Sequence, residues 1–215
     1  MKVFVIHYKK LIERKVNIIN QLKKHNITNY EFIDIDRDDL EKYNTNIFET
    51  NYTKSQMAIS LSHFYAYKQI SEKYDNGLIF EDDAILCNNF TNFFNKYIND
   101  LPSYYDMLFI GDGSKLHIKR NKLIPNKNIY QKCLYPTSWG GDGASRCTDS
   151  YLVSKKCANK LCEYIQHIEN VGHKIKKPID WWLNVAARDN KFIVYWAEPT
   201  IVTQGTQNKI YETSH

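Results

Sequence analysis

Three consecutive carboxylates, Glu81-Asp82-Asp83, stand between two apolar runs, Leu78-Ile79-Phe80 before them and Ala84-Ile85-Leu86 after them. The first run reads as a short buried strand entered through an Asn76-Gly77 turn. Alternation along a strand predicts that Glu81 and Asp83 point one way and Asp82 the other. Carboxylates crowded at the end of an apolar strand repel one another unless something cationic joins them. Hard divalent cations take oxygen ligands and share their shell with substrate phosphates. An isolated triplet of this kind is often a solvated acidic turn, but the flanking apolar residues bury this one. It therefore points to a metal–diphosphate site, with Asp83 as metal ligand and Glu81 or Asp82 assisting.

A second carboxylate, Asp180, follows Pro178 at the start of a helix in which Trp181, Trp182 and Leu183 can lock it against a core. That position suits a general base, and it equally suits a helix cap contributing about 1 kcal/mol. A helix N-terminus stabilises the ionised form and lowers the pKa, which weakens the base but keeps it charged at neutral pH. Asp142 and Asp149, in and after the glycine-dense stretch Trp139-Gly140-Gly141-Asp142-Gly143, are the alternatives. That stretch lacks the spacing of a phosphate-binding glycine fingerprint and reads as a mobile active-site loop. Ser62 and His63 sit in mid-helix, where a packed histidine is the common case.

The elements that must position these groups alternate in type. Val3 to Ile6 reads as a first strand. Leu11 to Lys24 is an amphipathic helix with Leu11, Ile12, Val16, Ile19 and Leu22 near helical spacing, and Tyr30 to Ile35 is a second strand. Strand, helix, strand predicts a parallel sheet covered by helices. After a polar stretch from Asp36 to Tyr52, Thr53 or Ser55 caps a helix to about Tyr74, with Met57, Leu61, Phe64, Tyr65 and Ile70 facing inward. Further helices are expected over 92–101, from a Ser154 cap to about Ile168, and from Pro178. Further strands are expected over 106–111, 150–153 and 192–196. The basic run from Lys115 to Lys132 reads as a solvated loop or hairpin; without interleaved aromatics it gives no case for nucleic-acid binding. No linker or repeat divides the 215 residues, so a single domain over 1–215 is expected.

Composition narrows the class. No apolar run is long enough to span a bilayer. The N-terminus enters a strand directly, and its apolar stretch is too short for a signal peptide, so a cytoplasmic protein with at most peripheral membrane association is expected. The sequons at Asn26, Asn51 and Asn89 would then go unused. Five scattered cysteines, odd in number and without a CxxC pair, fit free thiols better than a disulfide framework or zinc site. The formal charge of +5 favours a small anionic substrate such as a nucleotide and is too weak to imply nucleic acid.

Several stretches, taken in order, resemble glycosyltransferase family 25, the group of bacterial lipooligosaccharide galactosyltransferases and collagen galactosyltransferase domains. Val3-Phe4-Val5-Ile6 through Arg14 resembles the family's opening strand and arginine-bearing helix, with His7-Tyr8 where Asn-Leu is usual. Ser55 to His63 resembles the stretch ending in Ser-His, and Leu78 to Asp83 the EDD element. Ser150 to Lys155, Pro178-Ile179-Asp180 and Pro199 to Gln204 resemble the later motifs. Thr148-Asp149 departs from the smaller residues usual there. The resemblance implies an α/β GT-A fold, Rossmann-like, with a mostly parallel central sheet flanked by helices. It implies inverting transfer of a hexose of galactose or glucose type from a sugar nucleotide, UDP-linked, to a hydroxyl of a glycan or glycoprotein, as in lipopolysaccharide biosynthesis. Asp180 would be the catalytic base, Ile6, His7, Ser62, His63 and Asp82 would bind the donor, and Glu81 and Asp83 would hold manganese or magnesium. Arg14 would make a structural pair, near Glu13 or with Asp34. Two other classes compete: a silent sugar- or nucleotide-binding module, which has no reason to keep crowded carboxylates, and a metal-dependent phosphohydrolase, which asks for further acidic or basic motifs.

Overall fold

The computed structural model of the chain describes residues 1–113, 115–135 and 144–212. Its elements run β1 (Lys2–Ile6), α1 (Ile12–Lys24), β2 (Tyr30–Ile33), α2 (Lys54–Lys73), β3 (Asn76–Glu81), β4 (Ala84–Leu86), α3 (Phe90–Asp100), β5 (Met107–Phe109), β6 (Ile129–Gln131), β7 (Ser150–Ser154), α4 (Lys155–Asn170), α5 (Ile179–Asp189), β8 (Val194–Ala197) and β9 (Val202–Gln204). Seven strands form one sheet in the order β2-β1-β3-β7-β5-β8-β6. The pairs β2–β1, β1–β3 and β5–β8 are parallel; β7 runs against both its neighbours and β6 against β8. Five of the seven strands thus share a direction, the α/β architecture the alternating elements predict. β4 and β9 pair separately as a small antiparallel ribbon, which the sequence pattern does not announce.

The strands are apolar on both faces because helices cover both. Phe4 and Ile6 of β1, Ile79 of β3 and Tyr151 and Val153 of β7 pack into one core with α2, α4 and α5. Val3 and Val5, Leu78 and Phe80, and Leu152 turn the other way, toward α1 and α3. Helix α2 is held at its start by a capping box: Thr53 accepts from the Gln56 amide while the Gln56 side chain accepts from that of Thr53. Ser154 caps α4 in the expected way.

Three expectations are corrected. The buried stripe of α1 is Arg14, Ile18 and Leu22, whereas Ile12 and Val16 face outward. On α2, Tyr65 is exposed and the inward face includes Ser62, His63, Tyr67 and Ile70. The basic run is not wholly solvated: Ile129 and Tyr130 enter the sheet as β6, and Lys132 is 6% exposed. A strand edge beside Trp196 of β8 offers these residues more buried area than solvent does.

Candidate active site

The parallel strands β1 and β3 end side by side, Ile6 opposite Glu81, and the chain leaves both toward one cavity of about 390 Å3. Carboxyl ends of parallel strands are where open α/β sheets bind ligands, because successive loops diverge there. Ile6, His7, Ser62, Glu81, Asp82, Asp83 and Asp180 all line this cavity, together with Tyr8, Arg14, Arg37, Thr148, Gln204 and Thr206. Residues as far apart in sequence as His7 and Asp180 therefore meet.

The three carboxylates at the end of β3 part company, because the strand ends at Glu81 and the next two residues turn. Asp82 addresses the first strand–helix junction. Its Oδ2 contacts His7 Nδ1 at 2.9 Å and accepts from the Tyr8 amide at 3.2 Å, while Oδ1 accepts from Arg14 Nη1 at 3.1 Å. This corrects the expected Arg14 partners: the guanidinium pairs with Asp82 across the cavity wall, donates to the Glu212 carbonyl and stacks on Tyr211. Burial of Arg14 on the inner stripe of α1 follows from that pairing.

Glu81 turns toward the strand opposite. Its Oε1 accepts from the Thr148 hydroxyl at 2.7 Å and lies 3.4 Å from His63 Nε2. Asp83 is clasped by the segment after β9: the Gly205 amide donates to its carbonyl at 2.7 Å and the Thr206 amide to Oδ2 at 3.2 Å. A Cβ on Gly205 would stand 2.9 Å from that carbonyl oxygen and 2.6 Å from the Tyr211 ring, so the close approach needs glycine. Asp83 Oδ1 is buried without a partner. Burial, and then the charge of Glu81, push the Asp83 carboxyl up to about 6.

Asp180 stands in the first turn of α5 and is not itself the cap residue. The cap position is Pro178, with no side-chain cap bond. Burial raises its pKa, the Trp181 amide pulls it back, and Glu81 raises it again. The net direction is upward, the reverse of what the helix N-terminus alone predicts, because desolvation outweighs the dipole. His63 is fully buried behind Glu81 and does not line the cavity. Ser62 lines it, with its hydroxyl donating to the Ala58 carbonyl at 2.9 Å. Asp149 is fully buried and does not line the cavity, and burial first and Glu81 second raise its pKa well above the usual range. Asp142 and the glycine-dense stretch lie outside the described residues. Thr148, Thr206 and Gly205 escaped the sequence reading; the unusual Thr148-Asp149 pair was the one signal for the first of them.

Among the described residues, no group of three or more His, Cys, Asp or Glu is arranged to hold a metal ion. The chemistry of the donors still suits a hard cation. Glu81 and Asp83 offer oxygen only, line the same cavity, repel each other, and leave Asp83 Oδ1 without a hydrogen-bond donor. Asp82 is spoken for by His7, Tyr8 and Arg14. No helix among the described residues is long and apolar enough to cross a membrane.

Among solved structures, the chain is similar to the catalytic domain of Drosophila β1,4-galactosyltransferase 7 in complex with xylobiose. That match has 12% identity and a TM-score of 0.46, covering 99% of this chain and 73% of that one. It is similar also to the galactosyltransferase LgtC in complex with donor and acceptor sugar analogs, at 12% identity and a TM-score of 0.49, covering 95% and 86%. In sequence it is 26% identical over 162 residues to the lipooligosaccharide biosynthesis protein lex-1 of Haemophilus influenzae, covering 72% of this chain and 51% of that protein. The chain thus spans about half the length of that curated relative. The model of glycosyltransferase family 25, described as LPS biosynthesis protein, matches residues 1–181. With that match over most of its length, and with the motif residues of β1, α2, β3 and α5 gathered on one cavity, the chain belongs to glycosyltransferase family 25.

Proposed function

We propose that the cavity transfers a hexose, of galactose or glucose type, from a UDP-sugar to a hydroxyl of a glycan or glycosylated protein, with inversion, on a GT-A-type scaffold. The observation that carries this reading is the meeting of Asp180, raised in pKa by burial, with Glu81 and Asp83 on one cavity at the carboxyl ends of β1 and β3. Inversion needs one base on the acceptor side and charge stabilisation on the leaving-group side, and two separate sets of carboxylates provide for both.

Asp180 is the residue that takes the acceptor proton. Its raised pKa strengthens it as a base, and the acceptor hydroxyl becomes acidic as its bond to the sugar forms. Glu81 and Asp83 would hold a divalent ion, manganese or magnesium, which when bound supplies charge neutralisation for the departing diphosphate. The junction of His7, Tyr8 and Arg14, knitted together by Asp82, forms the wall against which the nucleotide is oriented. Ile6 and Ser62 complete that wall.

A panel of sugar nucleotides with Mn2+, scored for nucleotide release and for thermal stabilisation, tests the proposal. Release that depends on one donor and on an added glycan acceptor is expected. Stabilisation by a sugar nucleotide with no release, over a broad set of acceptors, would instead make this a silent binding module.

A further inference from the structure

Behind Glu81 lies a chain of polar groups with no access to water. His63 Nε2 is 3.4 Å from Glu81 Oε1, His63 Nδ1 is 2.7 Å from the Tyr151 hydroxyl, and that hydroxyl is 2.7 Å from the hydroxyl of Tyr67. His63, Tyr67 and Tyr151 are all fully buried, on α2 and β7. Aromatic packing holds the line in place: His63 stacks on Tyr151, and Tyr151 stacks on Phe109 at 5.1 Å between centroids.

The hydrogens in this line can run in only one sense without waste. If Tyr67 donates to Tyr151 and Tyr151 donates to His63 Nδ1, the imidazole carries its proton on Nε2 and presents it to Glu81. Run the other way, the Tyr67 hydroxyl hydrogen has no acceptor, and a bare Nε2 lone pair faces a carboxylate. A buried hydroxyl left unsatisfied loses its bonds to water and gains nothing in return, so that sense is disfavoured. Burial raises the pKa of both phenols, so both keep their protons. Glu81 Oε1 then accepts from the Thr148 hydroxyl and faces the His63 Nε2–H across 3.4 Å, an electrostatic contact and not a formed hydrogen bond, and Oε2 is left for the cavity.

We infer that His63, Tyr151 and Thr148 are positioning residues that lock Glu81 in one rotamer, with Oε2 presented to the proposed metal–diphosphate site. His63 acts through Glu81 and not on the donor itself. Such a partner commonly changes metal affinity or activity by about 10–100-fold when removed. The inference rests on the proposed function for its consequence, but the sense of the relay does not.

Two measurements test it. In 15N-labelled unaltered protein, the His63 ring signals are expected to show the proton on Nε2 and a hydrogen-bonded lone pair on Nδ1. A proton on Nδ1, as tautomer or imidazolium, overturns the relay. Separately, Mn2+ binding in the presence of UDP is titrated by electron paramagnetic resonance for Tyr151→Phe, Thr148→Val, His63→Leu and His63→Gln. Roughly 10–100-fold weaker binding is expected for the first three, with melting temperatures held within a few degrees. His63→Gln, whose amide can donate where Nε2 does, is expected to recover most of the loss. Equal losses in the Leu and Gln variants, or unchanged binding in all, overturn the positioning role. Should these variants fail to fold, the ring-nitrogen signals decide. If the unaltered protein binds neither Mn2+ nor UDP, the proposed function fails while the nitrogen signals still judge the relay.

Discussion

Replacing Arg14 with Met tests whether the buried pair with Asp82 organises the cavity wall. Both side chains are less than a tenth exposed, and Arg14 also donates to the Glu212 carbonyl and stacks on Tyr211. Removing the cation leaves Asp82 buried with only the His7 ring and the Tyr8 amide for compensation. Breaking a buried pair from one side costs about 3–5 kcal/mol, and the two surviving contacts place Arg14→Met near the lower end. For a domain of this size that is a fall of about 6–12 °C in melting temperature, at about 2–4 °C per kcal/mol. Adding Asp82→Asn removes the stranded charge, so the double variant should be more stable than Arg14→Met alone. Urea melts of the four proteins give the cycle directly. A loss below about 1 kcal/mol for Arg14→Met, or a double variant whose cost is the sum of the singles, would refute the argument.

Asp180→Asn should lower turnover by about two to four orders of magnitude while leaving donor binding and melting nearly unchanged, because an Asn oxygen can accept from the first-turn amides as the carboxylate does but cannot take the proton; retained turnover ends its role as base. Asp83→Asn should abolish Mn2+-dependent turnover without unfolding the protein, since burial and Glu81 already hold that carboxyl up at about 6 and a neutral group suits the site better. Near-normal activity with the same metal requirement would sink the ligand assignment. Lys132→Met should stabilise the protein at pH 7, because burial lowers the lysine from 10.5 to about 8; at about 1.4 kcal/mol per unit, less the contact with the Trp196 ring, the gain is about 1–3 kcal/mol. Below pH 8 both folded and unfolded chains carry the proton and the burial cost is full. Between about 8 and 10.5 only the unfolded chain keeps it, so the unaltered protein gains stability with rising pH and the advantage of Met shrinks. Melting curves from pH 7 to 10 that stay parallel would contradict this.

Much of the architecture was legible because it is written in local patterns. The apolar run Val3 to Ile6, the periodic stretch to Lys24 and the strand from Tyr30 predicted the first parallel unit, and the register Val3 opposite Tyr30 realises it. Thr53 and Ser154 were readable as caps because a cap is a contact over three residues. The EDD triplet and Asp180 stood out by residue type and setting, and both line the cavity. What the tertiary structure alone decided were the partnerships across long stretches of chain. Arg14 reads as the partner of a nearby carboxylate, around Glu13 or at Asp34, until Asp82, 68 residues away, is brought beneath it. Ile12 and Val16 read as core until that pairing turns α1 and leaves them outside. His63 reads as a donor-site residue or a packed one; only the approach of β7 shows it standing between Tyr151 and Glu81. Asp180 reads as a base weakened by a helix dipole, and burial by the surrounding fold reverses the sign. Propensity and periodicity act over one or two turns of chain, whereas desolvation and ion pairing depend on everything that surrounds a group, which only the folded chain assembles.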